Sequence, residues 1–368
     1  MFIIKKFISL LLVFSLALSI VACGQKDNSS NNNSSSNKQE VVEKRGYNYI
    51  TGKPFADGEN KTERPVAVMI DNNKLALPQS GLESADLIYE MVTEGGITRL
   101  MAVYSSLSKV SIAGPVRSAR DQFVQFVLPL NAVYVHIGTS IYANDMLNFY
   151  HYQDIDGLYL GVTSFDFDKA QANYKPHEHC WYTKSNLIQD GINATAINTA
   201  GNLYPAFNFA DYKKGPVEFK NAQDATEISF RFSHYADAAM HYNANDGKYY
   251  KDSFGAPQMD KETGTQVSFD NFFLLNTTVS LYPDGLCTNF DLSQGAGYYF
   301  YGGKYIPIKW RKGLPENPLV ITDENDKVIE INPGKSYVAI IDSSMLEHLS
   351  IGGAVQEVEQ NSEIQNPA

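Results

Sequence analysis

The sequence predicts an α+β fold, an N-terminal α/β layered domain followed by a smaller, mainly antiparallel β-rich domain. Between residues 46 and 213, short apolar runs alternate with stretches whose apolar residues recur at helical spacing, the pattern of strands and helices in layers. From 214 to 345 that spacing gives way to aromatic and β-branched runs separated by Gly, Asp and Pro, which reads as antiparallel strands and turns. With 43% hydrophobic and 12% aromatic residues, a chain of 368 can bury a substantial core and divide it between two domains.

Lys5 and Lys6 precede an uncharged apolar run, Phe7 to Ala22, which is short for a membrane span of about 20 residues and ends in Ile20-Val-Ala-Cys23. This is a lipobox: residues 1–22 are expected to be a signal peptide, with Cys23 becoming a diacylated N-terminus that anchors the chain to the membrane. An uncleaved signal-anchor helix is the alternative, disfavoured by the length of the run. Residues 24–39 are almost entirely Asn, Ser, Lys and Gln, so 23–45 reads as a lipidated, disordered tether. Without residues 1–22, 28 basic residues face 41 acidic ones and the formal charge moves from -11 to -13. That field disfavours nucleic acid as a partner, although a local basic pocket can persist within it.

In the N-terminal domain, Pro65 to Ile70 reads as a buried strand running into Asp71-Asn72-Asn73, followed by strands at Asp86 to Val92 and Gly96 to Tyr104. A Gly114-Pro115 breaker opens the loop Val116-Arg117-Ser118-Ala119-Arg120-Asp121, after which Phe123, Val124, Phe126 and Val127 mark a helix. Ser118 with Asp121 three residues on has the form of a capping box, placing the N-cap at Ser118. Ala132 to Ile137 is a further strand, ending in His136-Ile-Gly-Thr-Ser140 before a helix from Ile141 to Tyr150. Lys214-Gly-Pro216 and the polar run from Asn221 to Asp224 mark the boundary. Beyond it, strands are predicted at Glu227 to Ser233, Gly247 to Phe254, Asn271 to Tyr282 and Gly297 to Lys309. Gly302-Gly303 supplies positive φ for a tight hairpin between Tyr298–Tyr301 and Lys304–Trp310. Leu319 to Ile321 and Lys327 to Ile331 form a second hairpin around Asp323–Asp326, Tyr337 to Ile341 closes the sheet, and 346–368 is a polar tail.

Arg117 and Arg120 flank a helix N-terminus, the wrong end for cations, so an anion or a carboxylate is expected beside them. Loops beyond strand C-termini make ligand sites in layered sheets, and Asp71, Asn72, Glu94, His136 and Ser140 all sit at such ends. Arg99 is expected among them, neutralising one of the acids. The carboxylates Asp71, Glu90, Glu94 and Asp121 could supply acid–base pairs, but ion pairing is the preferred account. His177, His179 and Cys180 invite a metal reading; no distal ligand pair matches them, so no metal is assigned and His177 is given a structural role near the pocket. Dinucleotide, phosphate-loop and nucleophile-elbow motifs are absent, and no cofactor is expected. Cys180 and Cys287 lie in different predicted domains; a disulfide and two free thiols both stay open.

Four ordered motifs, Arg64-Pro-Val-Ala-Val-Met-Ile-Asp71-Asn72, Ala85-Asp-Leu-Ile-Tyr-Glu90, Glu94-Gly-Gly-Ile-Thr-Arg99 and Gly114-Pro-Val-Arg-Ser-Ala-Arg120, resemble the N-terminal domain of the YerB-type lipoproteins. Gly297-Tyr-Tyr-Phe, Ile308-Lys-Trp310 and Ile331-Asn-Pro-Gly-Lys335 are similar to that family's C-terminal domain. His177 fits a Pro-His-x-x-Tyr pattern of the family, from which the following Glu-His-Cys departs. The resemblance implies a two-part domain of unknown function on a Gram-positive cell envelope, lipid-anchored at the outer face of the cytoplasmic membrane. It implies no reaction. Two function classes follow. One is an anchored protein that binds an anionic ligand, phosphate-bearing or a cell-wall glycopolymer, or docks an envelope partner. The other is an envelope hydrolase or phosphotransferase, by loose analogy with the LytR-CpsA-Psr enzymes, whose motifs the chain does not share. Binding is favoured, because spacing shows no nucleophile–base pair.

Overall fold

The computed structural model describes residues 46–55, 62–352 and 354–355; the predicted signal peptide, Cys23, the tether and most of the polar tail lie outside the described residues. Apolar runs flanked by turn residues become strands β1 (Val66–Asp71), β2 (Leu87–Val92), β3 (Thr98–Tyr104), β4 (Val133–His136) and β5 (Asp154–Asp156). Residues of β1, β2 and β3 are buried throughout, which is why they read as continuous rather than alternating apolar runs. Helices α1 (Asp121–Leu130), α2 (Ile141–Phe149), the single turn α3 (Gly157–Leu160) and α4 (Ser185–Thr195) lie between and after them.

The later half supplies β6 (Glu227–Arg231), β7 (Asp237–Asn243), β8 (Lys248–Ser253), β9 (Asn271–Thr277), β10 (Gln294–Tyr301), β11 (Lys304–Arg311), β12 (Val320–Thr322) and β13 (Ser336–Asp342). Among the described residues the main sheet runs β12-β11-β10-β9-β13-β2-β3-β1-β4-β5. The predicted closing strand, β13, is thus central. It lies parallel to β9 on one side and parallel to β2 on the other, so one sheet passes from strands before residue 214 to strands after it. The predicted hairpin is β10–β11, with Gly302 at φ 60° and Gly303 at φ 74°.

Strand alternation sorts the side chains into two apolar layers. Val66, Val68, Ile70, Leu100, Ala102 and Tyr104 face a layer built from α4 and from a second sheet in which β6, β7 and β8 are neighbours. Ala67, Met69, Met101 and Val103 face the other way, onto Phe123, Phe126 and Val127 of α1 and Leu147 of α2. The N-terminal region is therefore α/β and the C-terminal region mainly antiparallel β, on a shared sheet.

The second sheet is also pinned through polar groups. Lys251 of β8 places Nζ 3.2 Å from Glu90 Oε2 of β2, and Tyr337 of β13 donates its hydroxyl to the same oxygen at 2.6 Å. Glu90 Oε1 accepts from Asn72 Nδ2 at 2.9 Å and Thr98 Oγ1 at 2.7 Å. Lys251 also donates to Gln258 Oε1 at 2.8 Å, so a charge pair with no access to water is held by a closed set of hydrogen bonds.

Three local expectations are corrected. Helix α1 starts at Asp121 with Arg120 as its N-cap and no side-chain cap; Ser118 stays outside, because Ala119 bridges Thr139 in extended conformation and the Ser118 carbonyl is taken by Arg99. The predicted second hairpin is shorter than expected: Thr322 bridges Val328, Ile329 N–H donates to Ile321 O at 3.2 Å and Asp323 N–H to Lys327 O at 2.9 Å, but Ile331 leaves to pair with Phe209. The run from Asn271 to Tyr282 breaks after Thr277, where Val279–Leu281 turns to pair with Thr288–Phe290 in a separate hairpin.

Candidate functional site

The C-terminal ends of β1 and β2, the loop before α1 and the N-terminus of α2 meet around a cleft of ≈ 420 Å³. Asp71, Glu94, Arg99, Arg117, Arg120, Ser140 and His179 line it, with Leu286 and Cys287 from the 279–290 hairpin. Each charged group arrives for a local reason. Asp71 ends β1 opposite Arg99 in β3, a cross-strand pair of residues. Arg117 is fixed by its backbone N–H donating to Met69 O at 3.0 Å, and by its carbonyl accepting from Ile137 N. Arg120 caps α1 without a side-chain bond of its own to the helix, leaving its guanidinium free to reach Glu94.

Glu94 receives that guanidinium as a fork, Nε to Oε1 at 2.5 Å and Nη2 to Oε2 at 2.8 Å. Burial pushes the Glu94 carboxyl up, but the Arg120 hydrogen bonds and charge, with Arg99 behind them, bring it below its ordinary value. Asp71 behaves likewise: burial raises it, while His179 Nδ1 at 2.7 Å from Oδ2, then Arg117 Nε at 3.3 Å, outweigh burial and lower it. Arg99 donates Nη1 to Ser118 O at 2.8 Å; burial and the neighbouring Arg120 pull its guanidinium down to about 9, so it remains a cation at neutral pH. Among the groups that line the cleft, three arginines thus face two ionised carboxylates, a surplus of one positive charge there, with Asp121, whose carboxyl burial raises, set behind the lining.

Residues 50–198 match the family described as "Protein of unknown function (DUF3048) N-terminal domain", and residues 228–338 match its C-terminal domain. The chain belongs to the DUF3048 family. It is 26% identical over 298 residues to the protein of Bacillus subtilis (strain 168) named "Putative lipoprotein YerB", covering 79% of this chain and 85% of that one. The crystal structure of YerB from Bacillus subtilis superposes with a TM-score of 0.69 at 26% identity, covering 80% of this chain and 95% of that one. In this DUF3048 chain the charged wall of the cleft comes from the N-terminal family segment, while Leu286 and Cys287 come from the C-terminal one.

Two residues predicted beside the DUF3048 cleft lie elsewhere. His136 is fully buried, with Nε2 2.7 Å from Asp154 Oδ2 and Nδ1 3.0 Å from Gly138 O. Asn72 turns inward, donating to Glu90 and Thr98 and accepting from Gln79 Nε2 at 2.7 Å. Ser140 lines the cleft but also caps α2, accepting from Ala143 N at 3.1 Å. Asp121 lies just behind, its Oδ2 accepting from Tyr282 at 2.8 Å and burial raising its carboxyl. The two histidines exchange roles. His177 is exposed and packs edge-on against Phe167, while the buried His179 reaches Asp71. A single three-residue turn of 3-10 helix, His177–His179, sends the two side chains in different directions. Sequence reasoning also missed Cys287, because the hairpin that brings it lies more than a hundred residues downstream. Cys180 and Cys287 are both free thiols; burial and the neighbouring Asp284 raise Cys287 to about 12, so it is a poor nucleophile at neutral pH.

Proposed function

We propose that this chain is a lipid-anchored protein of the cell envelope, held to the outer face of the cytoplasmic membrane through Cys23, whose DUF3048 cleft binds an anionic ligand. The Ile20-Val-Ala-Cys23 motif and the name of the Bacillus relative support the anchor. The observation that carries the binding reading is the surplus positive charge of Arg99, Arg117 and Arg120 over Asp71 and Glu94 inside one cleft. At about 4 Å and an effective dielectric of 20, one unmatched charge attracts a unit anion by about 4 kcal/mol before desolvation. Arg117 is the adaptable member: among the described residues its guanidinium has one carboxylate partner, at 3.3 Å, and donors to spare. A phosphate group or a phosphate-bearing cell-wall glycopolymer fits that fork.

The binding test is titration calorimetry with pyrophosphate and glycopolymer fragments. Saturable binding that weakens about tenfold or more in Arg117→Gln supports the reading, and no heat with either ligand removes it. The anchor is tested separately by fatty-acid labelling, where equal label in wild type and Cys23→Ala would refute lipidation.

A second reading, an envelope hydrolase or phosphotransferase, draws on one specific contact. Asp71 holds His179 through Nδ1, and His179 lines the cleft, an arrangement that orients an imidazole as a proton acceptor. Turnover of a nitrophenyl phosphodiester that disappears in His179→Gln would favour it over binding alone.

A further inference from the structure

The segments that build the cleft carry exposed aliphatic side chains. Leu286 is 69% exposed and lines the cleft itself. Ile141, 63% exposed, follows the cleft residue Ser140, and Leu75, 56% exposed, donates its backbone N–H to the side chain of the cleft residue Asn73. Leu158 is 72% exposed and packs over Gly138, where a Cβ would lie 3.2 Å from Leu158 Cδ1 and 3.4 Å from Ser118 Oγ, between the two arginines of the loop. Tyr159, also in α3, and Val162 just after it are exposed as well. Single exposed leucines are ordinary; several on the segments that build one cationic cleft need a reason.

These segments are held rather than loose. Tyr282, on the hairpin that carries Leu286, stacks on Tyr142 of α2 with ring centroids 3.6 Å apart and planes at 10°, and its hydroxyl is held by Asp121. The Asp156 side chain caps α3 by accepting from Leu158 N at 2.9 Å, and it also accepts from Gly138 N at 2.7 Å, fixing Leu158 beside the loop that carries Arg117.

We infer that the anion taken by this cleft bears an apolar tail: the ligand is a lipid-linked phosphate or diphosphate, its head among Arg99, Arg117 and Arg120 and the first part of its chain across Leu75, Ile141, Leu158 and Leu286. This rests on the reading of the cleft as an anion site. The two parts are complementary in kind. The head satisfies a positive charge that the protein leaves unmatched, and the tail removes from water apolar side chains that the protein leaves uncovered. A free inorganic anion would satisfy only the first.

The test compares inorganic pyrophosphate with geranyl diphosphate by titration calorimetry of the full chain in a fixed concentration of non-ionic detergent. Each buried methylene strengthens binding by about fourfold, so covering two or three methylenes makes geranyl diphosphate roughly thirtyfold tighter than pyrophosphate. In the double variant Ile141→Ser, Leu158→Ser, pyrophosphate affinity stays at the wild-type value and the preference for geranyl diphosphate falls severalfold. Both substitutions are at exposed positions, so the melting temperature reports directly whether the fold is intact. Equal affinity for the two ligands in the wild type overturns the lipid inference and leaves the anion site standing. Binding of neither ligand overturns both.

Discussion

Replacing Arg117 and Arg120 by lysine, one at a time, separates the two jobs an arginine can do in this cleft. Lysine keeps the charge and discards the planar fork. Arg120 is 13% exposed in its side chain and makes two bonds to Glu94, which is 27% exposed. Losing one of two charge-assisted bonds, discounted for the water that still reaches Glu94, costs about 1–2 kcal/mol. At about 2–4 °C per kcal/mol for chains somewhat shorter than this one, Arg120→Lys melts about 2–8 °C below wild type. Arg117 is 29% exposed and meets Asp71 through a single contact at 3.3 Å, so Arg117→Lys costs no more than about 0.5 kcal/mol of stability. Its effect falls on the ligand: a second donor to the anion is gone, worth about 1 kcal/mol or roughly fivefold in Kd. The expected result is a crossed pattern in paired scanning and titration calorimetry, Arg120→Lys losing melting temperature and Arg117→Lys losing pyrophosphate affinity. If Arg117→Lys lowers the melting temperature as much as Arg120→Lys and leaves affinity untouched, the arginines are architecture and the anion site is refuted.

Breaking the buried Glu90–Lys251 pair from one side, as in Lys251→Met, strands a carboxylate away from water and is expected to cost about 3–5 kcal/mol in urea unfolding. The double change Glu90→Gln, Lys251→Met should recover part of that loss; additive losses would contradict a coupled pair. Asp71 and Glu94 both titrate lower in the folded chain than unfolded, so the stability they contribute is present at neutral pH and is lost as pH falls through their folded values. Thermal stability is therefore expected to drop below about pH 5, less steeply in Asp71→Asn, and an identical slope in that variant would count against Asp71 as a source. Trypsin is expected to cut at the exposed Lys213–Lys214, yet the fragments should stay together under native conditions, because β13 lies between β9 and β2. Separation of the fragments on a sizing column would mean that the shared sheet does not hold the halves.

Local chemistry made much of this molecule legible. The apolar runs of β1 to β4 and the Gly302-Gly303 hairpin follow from side-chain pattern and backbone freedom, properties of neighbours in the chain. The loop carrying Arg117 and Arg120 was found from the misfit between cations and a helix N-terminus, again a local conflict. Side-chain direction was less accessible. Asp71 and Asn72 are adjacent, yet one faces the cleft and the other the Glu90–Lys251 network, because successive strand residues point to opposite faces. His136 ends its strand as expected but finds Asp154 on β5, a short strand with too few residues to show a periodicity. Asp71 and His179 are 108 residues apart, and β13 pairs with β2 across most of the chain, Leu87 opposite Ser336, so nothing local marks either pairing. The sequence alone thus determined most of the long strands and the first two helices, the acidic charge balance and the arginine loop, since these depend on residues close along the chain. Which carboxylate meets which cation, and which apolar side chains border the cleft, was decided only by tertiary structure, because those contacts are chosen by the packing of layers whose members are far apart in sequence.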